Sequence, residues 1–75
     1  MMSNQKNYPP IHIGRIKYIL PKKGFGYVRV PETREEFYFR ASNQEEELTA
    51  NDVVQFEIKE TRQGLIAVNL QLISS

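Results

Sequence analysis

The sequence predicts an all-β fold, a small five-stranded antiparallel barrel. Three observations lead there. Short runs rich in Val, Ile, Phe and Tyr, most of them alternating apolar with polar residues, recur along the chain. Turn formers separate them: Pro21 and Gly24, Pro31, Asn51-Asp52, and Gly64. The chain has 75 residues and no cysteine. A domain this short buries only about 60–65% of its unfolded surface, so its core is thin. Closing the sheet removes loose edges without a large interior.

Residues 1–10 are polar and end in Pro9-Pro10, which reads as a flexible N-terminal arm. One domain over residues 11–75 follows. Ile11 to Ile19 is the first strand, rich in β-branched residues. Leu20 to Gly24 is a turn, because Pro21 cannot donate to a ladder and Gly24 accepts unusual dihedrals. Phe25 to Val30 is the second strand, Pro31 to Glu35 a charged loop, and Glu36 to Ala41 the third strand. Ser42 to Leu48 is polar and reads as at most one helical turn, with Ser42 as cap and Glu45 three residues on. After the Asn51-Asp52 turn, Val53 to Lys59 is the fourth strand. Glu60 to Gly64 is a charged hairpin loop and Leu65 to Ile73 the fifth strand.

Alternation assigns faces. Val28, Val30, Phe37 and Phe39 belong inside, as do Val54, Phe56 and Ile58, with Ile66, Val68 and Leu70 completing the core. Phe25, Tyr27 and Arg29 then share the outer face of the second strand. Glu36, Tyr38 and Arg40 share that of the third. For Ile16 to face inward and Tyr18 outward, a bulge is needed between them. Two blander placements stay open: Phe25 half-buried at the barrel rim, and Tyr18 at the core edge.

The chemistry concentrates in Lys23-Gly24-Phe25-Gly26-Tyr27-Val28 and Glu36-Phe37-Tyr38-Phe39-Arg40. Flat rings stack on unpaired bases, and cations beside them meet phosphates. Gly24 and Gly26 read as clearing space for a chain to lie across Phe25 and Tyr27. The formal net charge is only +1, but it is unevenly spread. Residues 1–40 carry eight Lys/Arg against three Glu, and residues 41–75 carry two against six Asp/Glu. A face built from the first three strands is therefore basic. Lys17, Lys23, Arg29 and Arg40 are the phosphate candidates. Arg40 has a rival reading as a salt bridge to Glu36, and Arg34 lies in a loop between acidic residues.

Other functions are disfavoured. His12, the only histidine, reads as an exposed residue at the strand entrance, so no metal cluster is expected. Glu45 to Glu47 reads as a solvated face and lacks a calcium-loop pattern. The GxG spacing lacks the GK[ST] end of a phosphate-binding loop. No cofactor and no enzymatic activity are expected. No run nears the roughly 20 apolar residues of a membrane span, and nothing at the N-terminus reads as a signal peptide, so a cytoplasmic monomer is expected.

These motifs, in order, resemble the cold-shock domain, an OB-fold barrel that binds single-stranded nucleic acid. Gly14-Arg15-Ile16-Lys17-Tyr18 resembles its opening segment. Lys23 to Val28 matches its first nucleic-acid motif, and Glu36 to Ser42 resembles the second. Leu48 to Phe56 and Gln63 to Leu70 match the closing strands, so the resemblance covers residues 13–70. It implies a barrel binding single-stranded RNA or DNA with little sequence preference, in a family whose members include RNA chaperones and regulators of transcription or translation. It places Phe25, Tyr27 and Tyr38 at the stacking positions, Tyr18 where Trp is usual, and Lys17 at a flanking basic position.

The chain departs from the pattern at four places. Ile19 replaces a Phe, Leu20 a polar residue, Arg40 a His, and Ala41 an aromatic. A smaller stacking surface and stronger salt dependence are expected. The departures also leave a second reading, a protein-interaction module on the same barrel that has lost most nucleic-acid affinity.

Overall fold

The computed structural model describes residues 11–41 and 47–74. The expected N-terminal arm lies outside the described residues, and so do Ser42 and Glu45 of the expected capped turn. Five strands are present: β1 (His12–Leu20), β2 (Phe25–Arg29), β3 (Glu36–Arg40), β4 (Val53–Thr61) and β5 (Gly64–Ser74). They close into a barrel in the order β1-β2-β3-β5-β4. The β1–β2, β1–β4, β2–β3 and β4–β5 seams are antiparallel. The closing seam, β3 to β5, is parallel, with Tyr38 opposite Ile66. β1 serves two neighbours: His12 to Arg15 pair with β4, and Arg15 to Leu20 pair with β2.

The interior follows from alternation. Val28 of β2, Phe37 and Phe39 of β3, and Val54 and Phe56 of β4 are buried, joined by Ile16, Leu48, Ala67 and Leu70. Ile19, Val30, Ala41, Ile58 and Leu72 pack against them, half-buried. The bulge expected in β1 is present, since the β1–β2 register shifts between Ile16 and Tyr18. Its effect is that Lys17 and Tyr18, consecutive residues, both lie on the exposed side.

β5 corrects the expected core. Ile66 and Val68 are only half-buried, and Ala67 faces inward instead. The cause is a second bulge. Gln55 pairs with Gln71 but Glu57 pairs with Val68, so Phe56 faces both Asn69 and Leu70. Asn69 takes φ 56°, a left-handed conformation that Asn tolerates better than most residues. The strand changes phase there, which puts Ala67 inward before the bulge and Leu70 inward after it.

Two turns also differ from expectation or add to it. The β4–β5 hairpin is tighter, because β4 runs to Thr61 and β5 starts at Gly64. The Thr61 hydroxyl donates to the Gly64 carbonyl at 2.8 Å and accepts from the Gln63 N–H at 3.2 Å, which stabilises the short turn. The Asn51-Asp52 turn is as expected, and the buried Asp52 carboxylate accepts the Thr49 N–H at 2.8 Å. Backbone bonds from Ile16 N–H to Asp52 O and from Asn51 N–H to Ile16 O fasten this turn to β1 at its bulge.

The glycines of the aromatic motif serve the fold, which corrects the space-clearing role expected of them. Gly26 is buried, opposite Ile19 and Phe39. A Cβ there would lie 2.6 Å from the Tyr18 carbonyl oxygen and 2.8 Å from Phe39 Cζ. Gly24 sits at φ 78° in the β1–β2 turn, where its N–H donates to Leu20 O and its carbonyl accepts the Ala41 N–H. Gly26→Ala is therefore expected to cost about 1–3 kcal/mol through overpacking. Urea unfolding followed by circular dichroism measures this, and an unchanged midpoint would mean the β1–β2 spacing yields freely.

Candidate nucleic-acid interface

Ladder register sets the outer face of β1, β2 and β3 in three rows. The middle row is Tyr18, Tyr27 and Tyr38, directly opposite one another. On one side lie Leu20, Phe25 and Arg40, and on the other Arg15, Arg29 and Glu36. Paired residues in a ladder project to the same side, so each row is a line of neighbouring side chains.

The four rings form one cluster. Phe25 stacks on Tyr38 with centroids 5.6 Å apart and planes at 26°. Tyr27 meets Tyr38 and Phe25 edge-on, at 6.0 and 6.3 Å. Tyr18 lies 5.5 Å from Tyr27 at a tilt. Phe25, Tyr27 and Tyr38 are half-buried against one another, and Tyr18 is 38% exposed. The outward placement of Phe25 and Tyr18 holds, while their mutual packing leaves each ring part of its surface.

Cations flank the rings at both ends. Lys23 is exposed in the turn between Leu20 and Phe25, and Arg40 is exposed opposite Phe25. At the other end Lys17 and Arg29 are exposed, and both approach Glu36. Lys17 Nζ donates to Glu36 Oε2 at 2.9 Å, and Arg29 Nε lies 3.9 Å from the same oxygen. Glu36 is thus the partner of Lys17 and Arg29. Its role was not legible in sequence, because Lys17 reaches it from β1 across the whole of β2.

Two apolar residues enlarge the face. Leu20, opposite Phe25, is 39% exposed. Ile66, opposite Tyr38, carries the outer surface across the β3–β5 seam to Lys59, its partner on β4. Sequence reasoning assigned Ile66 to the core, and only the Asn69 bulge reveals its true side. His12 is half-buried rather than exposed, because its ring stacks on Phe56 at 5.8 Å. Among the described residues, no three of His, Cys, Asp and Glu lie close enough to hold a metal ion.

Residues 12–73 match the family described as the 'cold-shock' DNA-binding domain. The chain belongs to the cold-shock domain family. No curated protein matches it. Cold-shock domain identity accords with the five-stranded barrel and with the ring cluster on its exterior, and the family is one of binding domains, not enzymes. Two departures from the cold-shock pattern concern the interior: Ile19 and Ala41 pack against the core. Leu20 and Arg40 lie on the ring face itself, one to each side of Phe25.

Proposed function

We propose that the chain binds single-stranded RNA or DNA with low sequence specificity. Tyr18, Phe25, Tyr27 and Tyr38 stack bases, while Lys17, Lys23, Arg29 and Arg40 meet phosphates. The observation that carries this reading is the four-ring cluster on the outer face of β1 to β3. The interior is filled by other side chains, so the rings are not needed to complete the core. Stacking is tolerant of base identity because every base offers a π-face. RNA-chaperone activity belongs to the same reading, since holding unpaired bases draws weak hairpins toward the open form by mass action. Among the described residues no helix is long and apolar enough to cross a membrane.

The test is a titration with a pyrimidine octamer, read by tyrosine fluorescence. Quenching is expected as bases cover the rings. Two to four phosphate contacts give a log–log salt slope of about −1.4 to −2.8, so Kd rises about 7- to 50-fold between roughly 50 and 200 mM salt. An affinity indifferent to salt would remove the cations from the account. No quenching, together with a co-purifying protein, favours the protein-interaction reading instead.

A further inference from the structure

Tyr18, Tyr27 and Tyr38 stand opposite one another across β1, β2 and β3, so three phenols form one line on the barrel exterior. The β1 bulge brings Tyr18 into that line. Tyr18 and Tyr27 are the closer pair. Their ring centroids lie 5.5 Å apart at 49°, against 6.0 Å and 79° for Tyr27 and Tyr38. Tyr38 is also covered by Phe25, stacked on it at 5.6 Å. Tyr18 is 38% exposed, so a diffusing oxidant reaches it.

The chain has no tryptophan and no cysteine, and its two methionines are residues 1 and 2. Indole, thiol and phenol are the side chains that give up a single electron most readily, so in this barrel one-electron oxidation falls on the phenols. We propose that Tyr18 and Tyr27 are an oxidative cross-linking site, which joins β1 to β2 and removes a stacking platform. A one-electron oxidant, such as a peroxidase intermediate or carbonate radical, takes one electron from each phenol, and each phenol releases one proton. The two radicals pair into a carbon–carbon bond between ring positions ortho to the oxygens. The two ortho hydrogens then move to the phenolic oxygens, which restores both rings. The net loss is two protons and two electrons, which reduce two equivalents of the oxidant. Coupling within one molecule needs no second chain, so its yield is independent of protein concentration. The bonded rings move as one unit and no longer offer separate faces to two bases. That consequence rests on the single-strand reading above, whereas the cross-link does not.

The four tyrosines fall on four tryptic peptides, residues 7–15, 18–22, 24–29 and 35–40, so each link is assignable by tandem mass spectrometry. The test illuminates the dilute full chain with a ruthenium tris-bipyridyl sensitiser and persulfate. Dityrosine fluorescence is expected, with a monomer lighter by two hydrogens and peptide 18–22 joined to 24–29. Tyr18→Phe and Tyr27→Phe should each lose that link while unfolding in urea as the parent does, and Tyr8→Phe should keep it. Links only between molecules, a link no more frequent than that of Tyr27 to Tyr38, or oxygen addition without coupling overturns the inference and leaves the binding reading standing. The purified cross-linked monomer is then titrated with a fluorescein-labelled pyrimidine octamer. It is expected to bind about 5- to 150-fold more weakly, the loss of one stacked base. Parent affinity retained after cross-linking, where Phe25→Ala loses it, overturns the loss of a platform. A parent that binds no octamer overturns the binding reading and the platform loss with it, while the peptide map still decides the cross-link.

Discussion

Phe25→Ala is expected to weaken binding of a pyrimidine octamer about 5- to 150-fold, the equivalent of roughly 1–3 kcal/mol for one stacked base. Phe25 is the ring with most to lose. It stacks on Tyr38 and meets Tyr27 edge-on, so its removal deletes one platform and unsupports two others. It is half-buried on the exterior, and the buried core does not include it. The fold should therefore survive, at a cost of about 1 kcal/mol from lost ring contacts. Fluorescence titration beside a urea melt separates the two effects. Retained affinity would contradict the stacking role, and a loss of affinity that merely tracks unfolding would reduce Phe25 to a structural residue.

Phe39→Ala should do the opposite. Phe39 adjoins Tyr38 in sequence but is fully buried, facing Gly26 across the β2–β3 ladder. Replacing a buried Phe by Ala typically costs about 3–5 kcal/mol. A domain of this size has a total stability of only about 4–11 kcal/mol. The variant is expected to be marginal or unfolded at room temperature, with loss of the far-ultraviolet circular dichroism of the barrel. A cooperative urea transition within about 1 kcal/mol of the parent would show that the core repacks, against the expectation for so thin an interior. Tyr38 and Phe39, one residue apart, thus divide binding from folding because a strand sends successive side chains to opposite sides.

Legibility in the sequence tracked how sharply each strand alternates. β2 sets Phe25, Tyr27 and Arg29 against Gly26 and Val28, and β3 sets Glu36, Tyr38 and Arg40 against two phenylalanines, so their faces were readable. The β1 bulge was readable too, because Ile16 and Tyr18 could not both be satisfied on one side. β5 was not, since Leu65 to Val68 is apolar at every position and either phase looks plausible. Only Asn69, an inconspicuous polar residue, marks the change of phase. Pairings between strands were hardest. Glu36 shares a strand face with Arg40, which made a salt bridge between them the rival reading for Arg40, whereas Glu36 meets Lys17 from β1 and Arg29 from β2. The glycines misled for a related reason: the motif advertises them as part of the ligand surface, while the crowding around Gly26 arises from Tyr18 and Phe39 on neighbouring strands.

Tyr38 holds a double position, because the parallel seam that shuts the barrel pairs it with Ile66. The three hairpin-type seams join strands consecutive in the chain, whereas this one joins segments far apart, and its closure comes at greater entropic cost. A base resting on Tyr38 therefore sits on the latch of the cylinder. Occupancy and closure become thermodynamically linked: a guest that prefers the shut form tightens a seam that no hairpin turn holds together.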